Sequence, residues 1–275
     1  MLALEGTNDC ILISPYIWIL FSFKFFDAPL KAAPQKHPPQ KHPSNMVASS
    51  VPKWLPLESN PDVMNDYLAK LGIPASENLA FSDVWSLDPE NLAFLPHPVR
   101  AFILLFPVTA IEKGAVVAGT VVPGMAGVFW VKQTIGNACG TMAILHSLAN
   151  LEGVDLGSGL LRNTIERLTP LNADARAQAL EQDVELASLH ASSSMEGQTA
   201  APGAEDEVDL HFVAFVPVGG KLVELDGGKE GPVVHGDIGE AGFVTSAVEV
   251  IQRAFIQRDP TGNSFTVVAL GAKQE

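Results

Sequence analysis

From Lys53 onward, hydrophobic positions follow two spacings, one typical of strands and one typical of helices. Short apolar runs bounded by turn residues indicate buried strands. Such runs lie at residues 101–108, 128–133, 208–218, 221–226 and 264–270. Hydrophobic residues three and four positions apart indicate helices. This spacing occurs at residues 60–72, 139–150, 160–168, 173–186 and 240–259.

Local signals at glycine, proline and asparagine sharpen this pattern. Asn60 followed by Pro61 is a typical helix start, and Gly72 is a typical helix end. Gly219-Gly220 lies between two strand-like runs and predicts a hairpin, which makes the two strands antiparallel. We therefore expect an α+β fold. Residues 190–207 are small and polar and contain glycine and proline, so they predict a long flexible loop.

The first 50 residues differ in character from the rest of the chain. Residues 11–26 are strongly apolar, but a membrane-spanning helix needs about 20 such residues. The tandem repeat PQKHPPQKHP at residues 34–43 predicts an extended linker without a core. This leader is interpreted as a targeting or membrane segment, a tail buried elsewhere, or an over-extended gene model with Met46 as the true start. We favour the last, with a folded domain at residues 51–275.

Composition narrows the classes of partner and compartment. The formal charge of −14 predicts repulsion from nucleic acid and from anionic membranes. The two cysteines, Cys10 and Cys139, cannot build a disulfide framework, and no cysteine or histidine cluster predicts a zinc site. We therefore expect a protein of the reducing cytoplasm that needs no metal or other cofactor.

Cys139 lies at the predicted start of a helix, between an apolar run and the segment CGTMAILHSLAN. Unpaired amides and the positive end of the helix dipole stabilise a thiolate at such a position. Gly140 beside it predicts close approach of a substrate backbone. A buried structural cysteine is the alternative interpretation.

A reactive thiolate needs a base, and His211 is the strongest candidate because it interrupts the apolar strand DLHFVAFV. Asp226 ends the next strand of the predicted hairpin, so it can lie beside His211 and orient the imidazole. His146 lies two helical turns from Cys139, which is too far. Gln133 can offer its side-chain amide to an oxyanion. The remaining histidines considered lie in the proline-rich repeat or in turn and loop sequence, which makes them poor bases: His37, His42, His97 and His190.

Three segments together resemble the ubiquitin carboxyl-terminal hydrolase family of cysteine proteases, a papain-like clan. They are KQTIGNACGTMAILHSLAN, VDLHFVAFV and LVELDGGKEGPVVHG, and the resemblance extends over about residues 53–270. It implies Cys139 as nucleophile, His211 as base and acid, Asp226 as orienting group and Gln133 as oxyanion donor. It also implies a central antiparallel sheet flanked by helices, with a knotted backbone.

The resemblance further implies the partner and the shape of the substrate. Residues 189–207 match the crossover loop of the family, which passes over the cleft and admits small adducts or peptide extensions of ubiquitin. The acidic chain suits the arginine-rich C-terminal tail of ubiquitin, and Glu58, Asp62 and Asp83 are expected to contact it. We expect a monomer. The alternatives are a hydrolase for a ubiquitin-like modifier such as NEDD8, a ubiquitin-binding module without turnover, or a form tethered to a membrane through residues 11–26.

Two departures from the pattern of the family stand out. Gly228 occupies a position where members often carry a basic residue, which leaves a local ion pair in question but not the triad. Residues 112–127 are rich in alanine, glycine and valine where relatives tend to be charged, so no structure is predicted for that loop.

Overall fold

The computed structural model describes residues 52–109, 119–199, 202–203, 206, 208–259 and 264–274. Within these residues, one seven-stranded sheet runs in the order β1-β7-β2-β4-β5-β6-β3, and each pair of neighbours is antiparallel. The strands are β1 Leu79–Asp83, β2 Ala101–Pro107, β3 Thr120–Val121, β4 Leu210–Val218, β5 Lys221–Leu225, β6 Val233–Asp237 and β7 Thr266–Ala272.

Helices precede and separate these strands, which confirms the predicted α+β class. The α-helices are α1 Pro61–Lys70, α2 Pro89–Leu92, α3 Cys139–Ala149, α4 Leu160–Leu168, α5 Ala173–Glu181, α6 Val184–Ser194 and α7 Gly242–Ala254. Short 3₁₀ helices span Ala75–Glu77 and Ile256–Arg258.

The sheet is covered on both faces, and β4 shows this directly. Successive side chains of a strand point to opposite faces. Phe212 and Ala214 belong to a hydrophobic cluster with α1 and α3, whereas Val213 and Phe215 belong to a second cluster with α7. A strand that is buried on both sides needs a continuous apolar run, and β4 has one. His211 is the ionisable residue at its start.

The predicted helix and hairpin signals act as expected. The side chain of Asn60 accepts a hydrogen bond from the Asp62 amide (2.9 Å), Pro61 is the first helical residue, and Gly72 has a φ of 95°. At the β4–β5 turn, Gly219 and Gly220 have φ of 56° and 75°, a region that other residues adopt at a cost.

One predicted strand, residues 128–133, is wrong. Side chains, and not a neighbouring strand, take most of the backbone hydrogen bonds in its middle part. Asn150 accepts from the Phe129 amide (2.8 Å), His146 Nε2 accepts from the Val131 amide (3.1 Å), and Arg176 donates to the Trp130 carbonyl (2.9 Å). These partners come from distant helices, so an apolar run by itself could not reveal them.

Helical boundaries after residue 173 also differ from the prediction. Residues 173–186 form two helices, because Asp183 caps a new one by accepting from the Leu186 amide (2.9 Å). That helix, α6, continues to Ser194, although a loop was predicted from residue 190. Buried His190 and Ser194 both donate to the Leu55 carbonyl, which gives these polar side chains a partner inside the fold.

Several predictions fall wholly or partly outside the described residues. The leader at residues 1–50 lies outside them, and so do residues 110–118 of the loop without a predicted structure. In the part of the chain that the structure describes, no helix is both long and apolar enough to cross a membrane. The knotted path of the backbone stays a prediction.

Candidate active site

Cys139 is the first residue of α3, as predicted, and its thiol is free and partly buried. Ala138 precedes it as the N-cap residue and provides no side-chain hydrogen bond to the first turn. Amides of a first helical turn lack partners within the helix and favour negative charge nearby. Packing inside the protein also restricts the position of Gly140 to glycine, because a Cβ there would lie 2.9 Å from the Leu57 Cβ. The predicted close approach of a substrate stays a prediction.

His211 and Asp226 lie side by side, as the hairpin predicted. His211 is the second residue of β4, and Asp226 directly follows β5. The two strands pair from Val218↔Lys221 to Ala214↔Leu225, and beyond this ladder His211 Nε2 lies 2.6 Å from Asp226 Oδ1. The Gly228 amide donates to the same oxygen (2.8 Å), so the chain turn after β5 also holds the carboxylate.

The imidazole of His211 joins Asp226 to Cys139. Because Nε2 bonds to the carboxylate, Nδ1 is the nitrogen left for the hydrogen bond with Cys139. Burial lowers the pKa of His211, but the hydrogen bonds and charges of Asp226 and Cys139 outweigh burial and raise the pKa from 6.5 to about 10. Burial raises the pKa of Asp226, but the hydrogen bond and charge of His211, the Gly228 amide and the charge of Lys229 together outweigh burial and lower this pKa. The site therefore favours an imidazolium beside Cys139.

Trp130 supports the third member of this group, and sequence reasoning did not find it. Its indole N–H donates to the Asp226 carbonyl (3.0 Å), and the ring is buried. Arg176 in turn donates to the Trp130 carbonyl (2.9 Å). A tryptophan with its N–H buried requires an acceptor, and that requirement was the signal available in the sequence.

Gln133 lies in the extended segment before α3, close to the turn after β5. The backbone N–H of Gln133 donates to the Gly227 carbonyl (2.8 Å). A Cβ at Gly227 would lie 2.8 Å from the Gln133 Cβ, so the two segments are packed closely. The side-chain Nε2 donates to the Ile135 carbonyl (3.0 Å), which fixes the rotamer. An amide group carries two N–H bonds, so one remains for a ligand.

The other two buried helical histidines have structural partners. His146 is fully buried and accepts from the Val131 amide, and burial lowers its pKa to about 4. His190, which was predicted to lie in a loop, is fully buried in α6 and contacts Thr141 and Leu55. Neither histidine is available as a base for Cys139.

The three acidic residues expected to contact a partner lie in different surroundings. The Glu58 carboxylate is buried and accepts from the Thr199 amide (3.2 Å) and hydroxyl (3.1 Å). Asp62 lies in the first turn of α1 and Asp83 at the end of β1. Burial and the charge of Asp62 raise the pKa of Asp83 to about 6. Its Oδ1 has no hydrogen-bond partner among the described residues.

Comparisons with known proteins agree with this geometry. The model of ubiquitin carboxyl-terminal hydrolase family 1, a family of cysteine proteases, matches residues 54–256 and so includes all four candidate catalytic residues. The chain belongs to this family. It is 43% identical over 215 residues to a ubiquitin carboxyl-terminal hydrolase of Aplysia californica, covering 77% of this chain and 99% of the relative. For the Drosophila melanogaster ubiquitin carboxyl-terminal hydrolase the identity is 39% over 228 residues, covering 81% and 99%.

A solved structure with a similar fold agrees with this result. The catalytic domain of Trichinella spiralis UCH37, bound to ubiquitin vinyl methyl ester, superposes with a TM-score of 0.65 at 24% identity, covering 80% of this chain and 96% of that domain. As a member of the ubiquitin carboxyl-terminal hydrolase family, the chain is a cysteine protease.

Proposed function

We propose that the protein hydrolyses the bond after the C-terminal glycine of ubiquitin, with residues 51–275 as its catalytic domain. The hydrogen-bonded series Cys139, His211 and Asp226 carries this proposal, because a thiol, an imidazole and a carboxylate in this order form a cysteine protease triad. All curated relatives reported above are ubiquitin hydrolases by name, so a preference for another modifier is not favoured.

The reaction follows from the proton held by His211. The Cys139 thiolate attacks the carbonyl carbon of the terminal glycine, and the C–N or C–O bond to the leaving group breaks as His211 gives it a proton. His211 then takes a proton from water, and the resulting hydroxide attacks the thioester. The C–S bond breaks, and ubiquitin leaves as a carboxylic acid that loses its proton to solvent. The ion pair of Cys139 and His211 is restored.

The oxyanion of each tetrahedral intermediate is assigned two donors. One is the Cys139 amide, which lies in a helical first turn without an intrahelical acceptor. The other is the second N–H of Gln133, whose rotamer is fixed by the Ile135 carbonyl. Donors that are held in place before the reaction stabilise developing charge most effectively.

Asp62 and Asp83 are assigned to the basic tail of ubiquitin. Two neighbouring carboxylates, one with a raised pKa and an unpartnered oxygen, are stabilised by a cation placed between them. Glu58 contacts the tail only if it exchanges its hydrogen bonds with Thr199. The loop after α6 is assigned as the crossover loop, which admits slender leaving groups. We further propose that the protein acts as a monomer in the cytoplasm, without nucleic acid or membrane.

Hydrolysis of ubiquitin with a fluorogenic C-terminal amide tests the function. The wild type is expected to release the fluorophore, and Cys139→Ala is expected to show no release while still binding ubiquitin. The matched control is Ser147→Ala in the same helix, which removes a buried hydroxyl that donates to the Ala143 carbonyl (2.8 Å). If the wild type shows no turnover of the ubiquitin amide, the proposal is wrong. Faster turnover of a NEDD8 amide would reassign the modifier.

A further inference from the structure

A buried series of hydrogen bonds lies behind the cysteine helix and joins four parts of the chain. The Tyr67 hydroxyl of α1 lies 2.8 Å from Thr141 Oγ1 of α3, and Thr141 Oγ1 lies 2.8 Å from His190 Nδ1 of α6. The series ends where His190 Nε2 meets the Leu55 carbonyl (2.5 Å), in the segment before α1. The side chains of Tyr67, Thr141 and His190 are fully buried, so water does not compete for these bonds.

The position of every proton follows from the carbonyl at the end of the series. A carbonyl can only accept, so His190 Nε2 must donate to Leu55. Burial lowers the pKa of His190 to about 4, so the ring is neutral at pH 7 and its Nδ1 must accept. Thr141 therefore donates to His190, and Tyr67 donates to Thr141. Each polar atom in the series has a partner of the required kind.

Thr141 brings this series to the catalytic cysteine. It lies two residues after Cys139, in the first turn of α3, where Ala138 provides no side-chain cap. His190 lies in the helix that leads into the loop after Ser194, and the Trp54 ring packs against it with 4.5 Å between ring centroids. The Thr141 side chain thus attaches the first turn of α3 to α1 through Tyr67, and to α6, the helix before the crossover loop, through His190. Through His190 it is also linked to Leu55, in the segment before α1.

We propose that Thr141 and His190 are positioning residues, which hold the first turn of α3 so that the Cys139 sulfur stays within reach of His211. This inference rests on the proposed function. The triad bridges α3 and the hairpin, so a displacement of the first turn changes the distance between Cys139 and His211 directly. Misplacement of a catalytic group by about 1 Å can lower a rate by about 10²-fold. Because Thr141 bonds to His190, a shift of α6, the helix before the crossover loop, would also move the first turn of α3 and with it Cys139.

Thr141→Val tests the proposal, because it keeps the shape of the side chain and replaces the hydroxyl with a methyl group, so Tyr67 and His190 lose their shared partner. We expect kcat on the ubiquitin amide to fall by about tenfold or more, with KM changed by less than about twofold, since no ubiquitin contact is lost. Thr141→Ser restores the hydroxyl and is expected to recover kcat to within about threefold. Tyr67→Phe removes only the last donor and is expected to lower kcat by about twofold.

A second readout does not depend on ubiquitin. The rate of alkylation of Cys139 by iodoacetamide at pH 6, followed by mass spectrometry of its peptide, reports how much thiolate is present. We expect Thr141→Val to lower this rate by about tenfold and Ser147→Ala to leave it unchanged. If the wild type reacts with iodoacetamide but does not hydrolyse the ubiquitin amide, the proposed function is wrong. The alkylation rates of wild type and Thr141→Val can still be compared in that case, so the positioning role is tested separately.

Thermal unfolding separates positioning from stability. If Thr141→Val and His190→Gln unfold at lower temperature but keep kcat and the alkylation rate within about twofold of the wild type, the series is only structural and the proposal is wrong. If His190→Gln does not fold, Thr141→Val and Thr141→Ser decide the question by themselves.

Discussion

Two histidines interact with the first turn of α3, His211 at Cys139 and His190 at Thr141, and both are largely or fully buried. Their pKa values differ widely. His211 bonds to the Asp226 carboxylate, and its pKa rises to about 10. His190 bonds to a hydroxyl and a carbonyl, and burial lowers its pKa to about 4. Burial disfavours the charged form of both rings, so the charge of the partner decides the protonation state. His211 therefore carries a proton that it can donate to a leaving group. His190 stays neutral, so its Nε2 donates and its Nδ1 accepts.

The largest expected effect comes from removing the charge that distinguishes His211. Asp226→Asn keeps a side chain of similar shape but removes the negative charge, so the pKa of His211 should fall and kcat should fall by about 10²–10⁴-fold. A titration of the His211 ring proton by NMR should show its midpoint moving to lower pH. Asp237→Asn, which removes an exposed partner of Lys221, is the control and should change neither quantity. An unchanged midpoint in Asp226→Asn would contradict the role of the carboxylate.

The second expected effect concerns stability in acid. The pKa of His190 is about 4 in the folded protein, below the value of 6.5 for an ordinary histidine. The stabilisation that His190 contributes is therefore complete above about pH 6.5 and is lost as the pH falls towards 4. For His190 the loss amounts to at most about 3 kcal/mol in the free energy of unfolding. Urea unfolding between pH 7 and pH 4.5 should therefore show a steeper decline for the wild type than for His190→Gln.

His146 has the same direction of shift, and it is present in both of these proteins, so its contribution cancels in the comparison. The raised pKa of His211 acts in the opposite sense: it stabilises the fold below about pH 6.5, and this is lost as pH rises through the folded value. Parallel curves for wild type and His190→Gln would show that His190 is not held neutral by the fold.

The smallest effect is expected from removing the hydrogen bond between Trp130 and the Asp226 carbonyl. Trp130→Phe retains most of the buried ring and removes the hydrogen bond to the Asp226 carbonyl. Loss of one such bond should lower the free energy of unfolding by about 1 kcal/mol and kcat by less than about fivefold. Chemical denaturation and steady-state kinetics measure the two quantities. A loss of activity as large as that of Asp226→Asn would mean that the indole determines where the carboxylate lies.

Several features of the site were predictable because local chemistry encodes them. The position of Cys139 at a helix start follows from the change of hydrophobic spacing. The proximity of His211 and Asp226 follows from the diglycine hairpin, which the structure confirms as an antiparallel pair of strands. His211 was conspicuous because an ionisable ring in a buried strand must have a partner.

The environment of other residues could not be predicted in the same way. His190 was placed in a loop because its neighbours are small and polar, yet Leu55 and Thr141 from distant segments give it partners. Residues 128–133 have the composition of a strand, but the side chains of His146, Asn150 and Arg176 take several of their backbone hydrogen bonds. Both outcomes depend on contacts between residues far apart in sequence.

Periodicity, turn chemistry and the cost of burying a polar group act within short segments, so the fold class and the grouping of His211 with Asp226 could be predicted from the sequence. The roles of Cys139 as nucleophile and His211 as base followed from the family resemblance and stay predictions. The residues that support these groups could be seen only in the folded protein: Trp130 bonds to Asp226, Gly140 packs against Leu57, and His190 bonds to Thr141. Such partners are chosen by three-dimensional packing, and a pattern along one chain does not record which distant atoms will satisfy a buried donor.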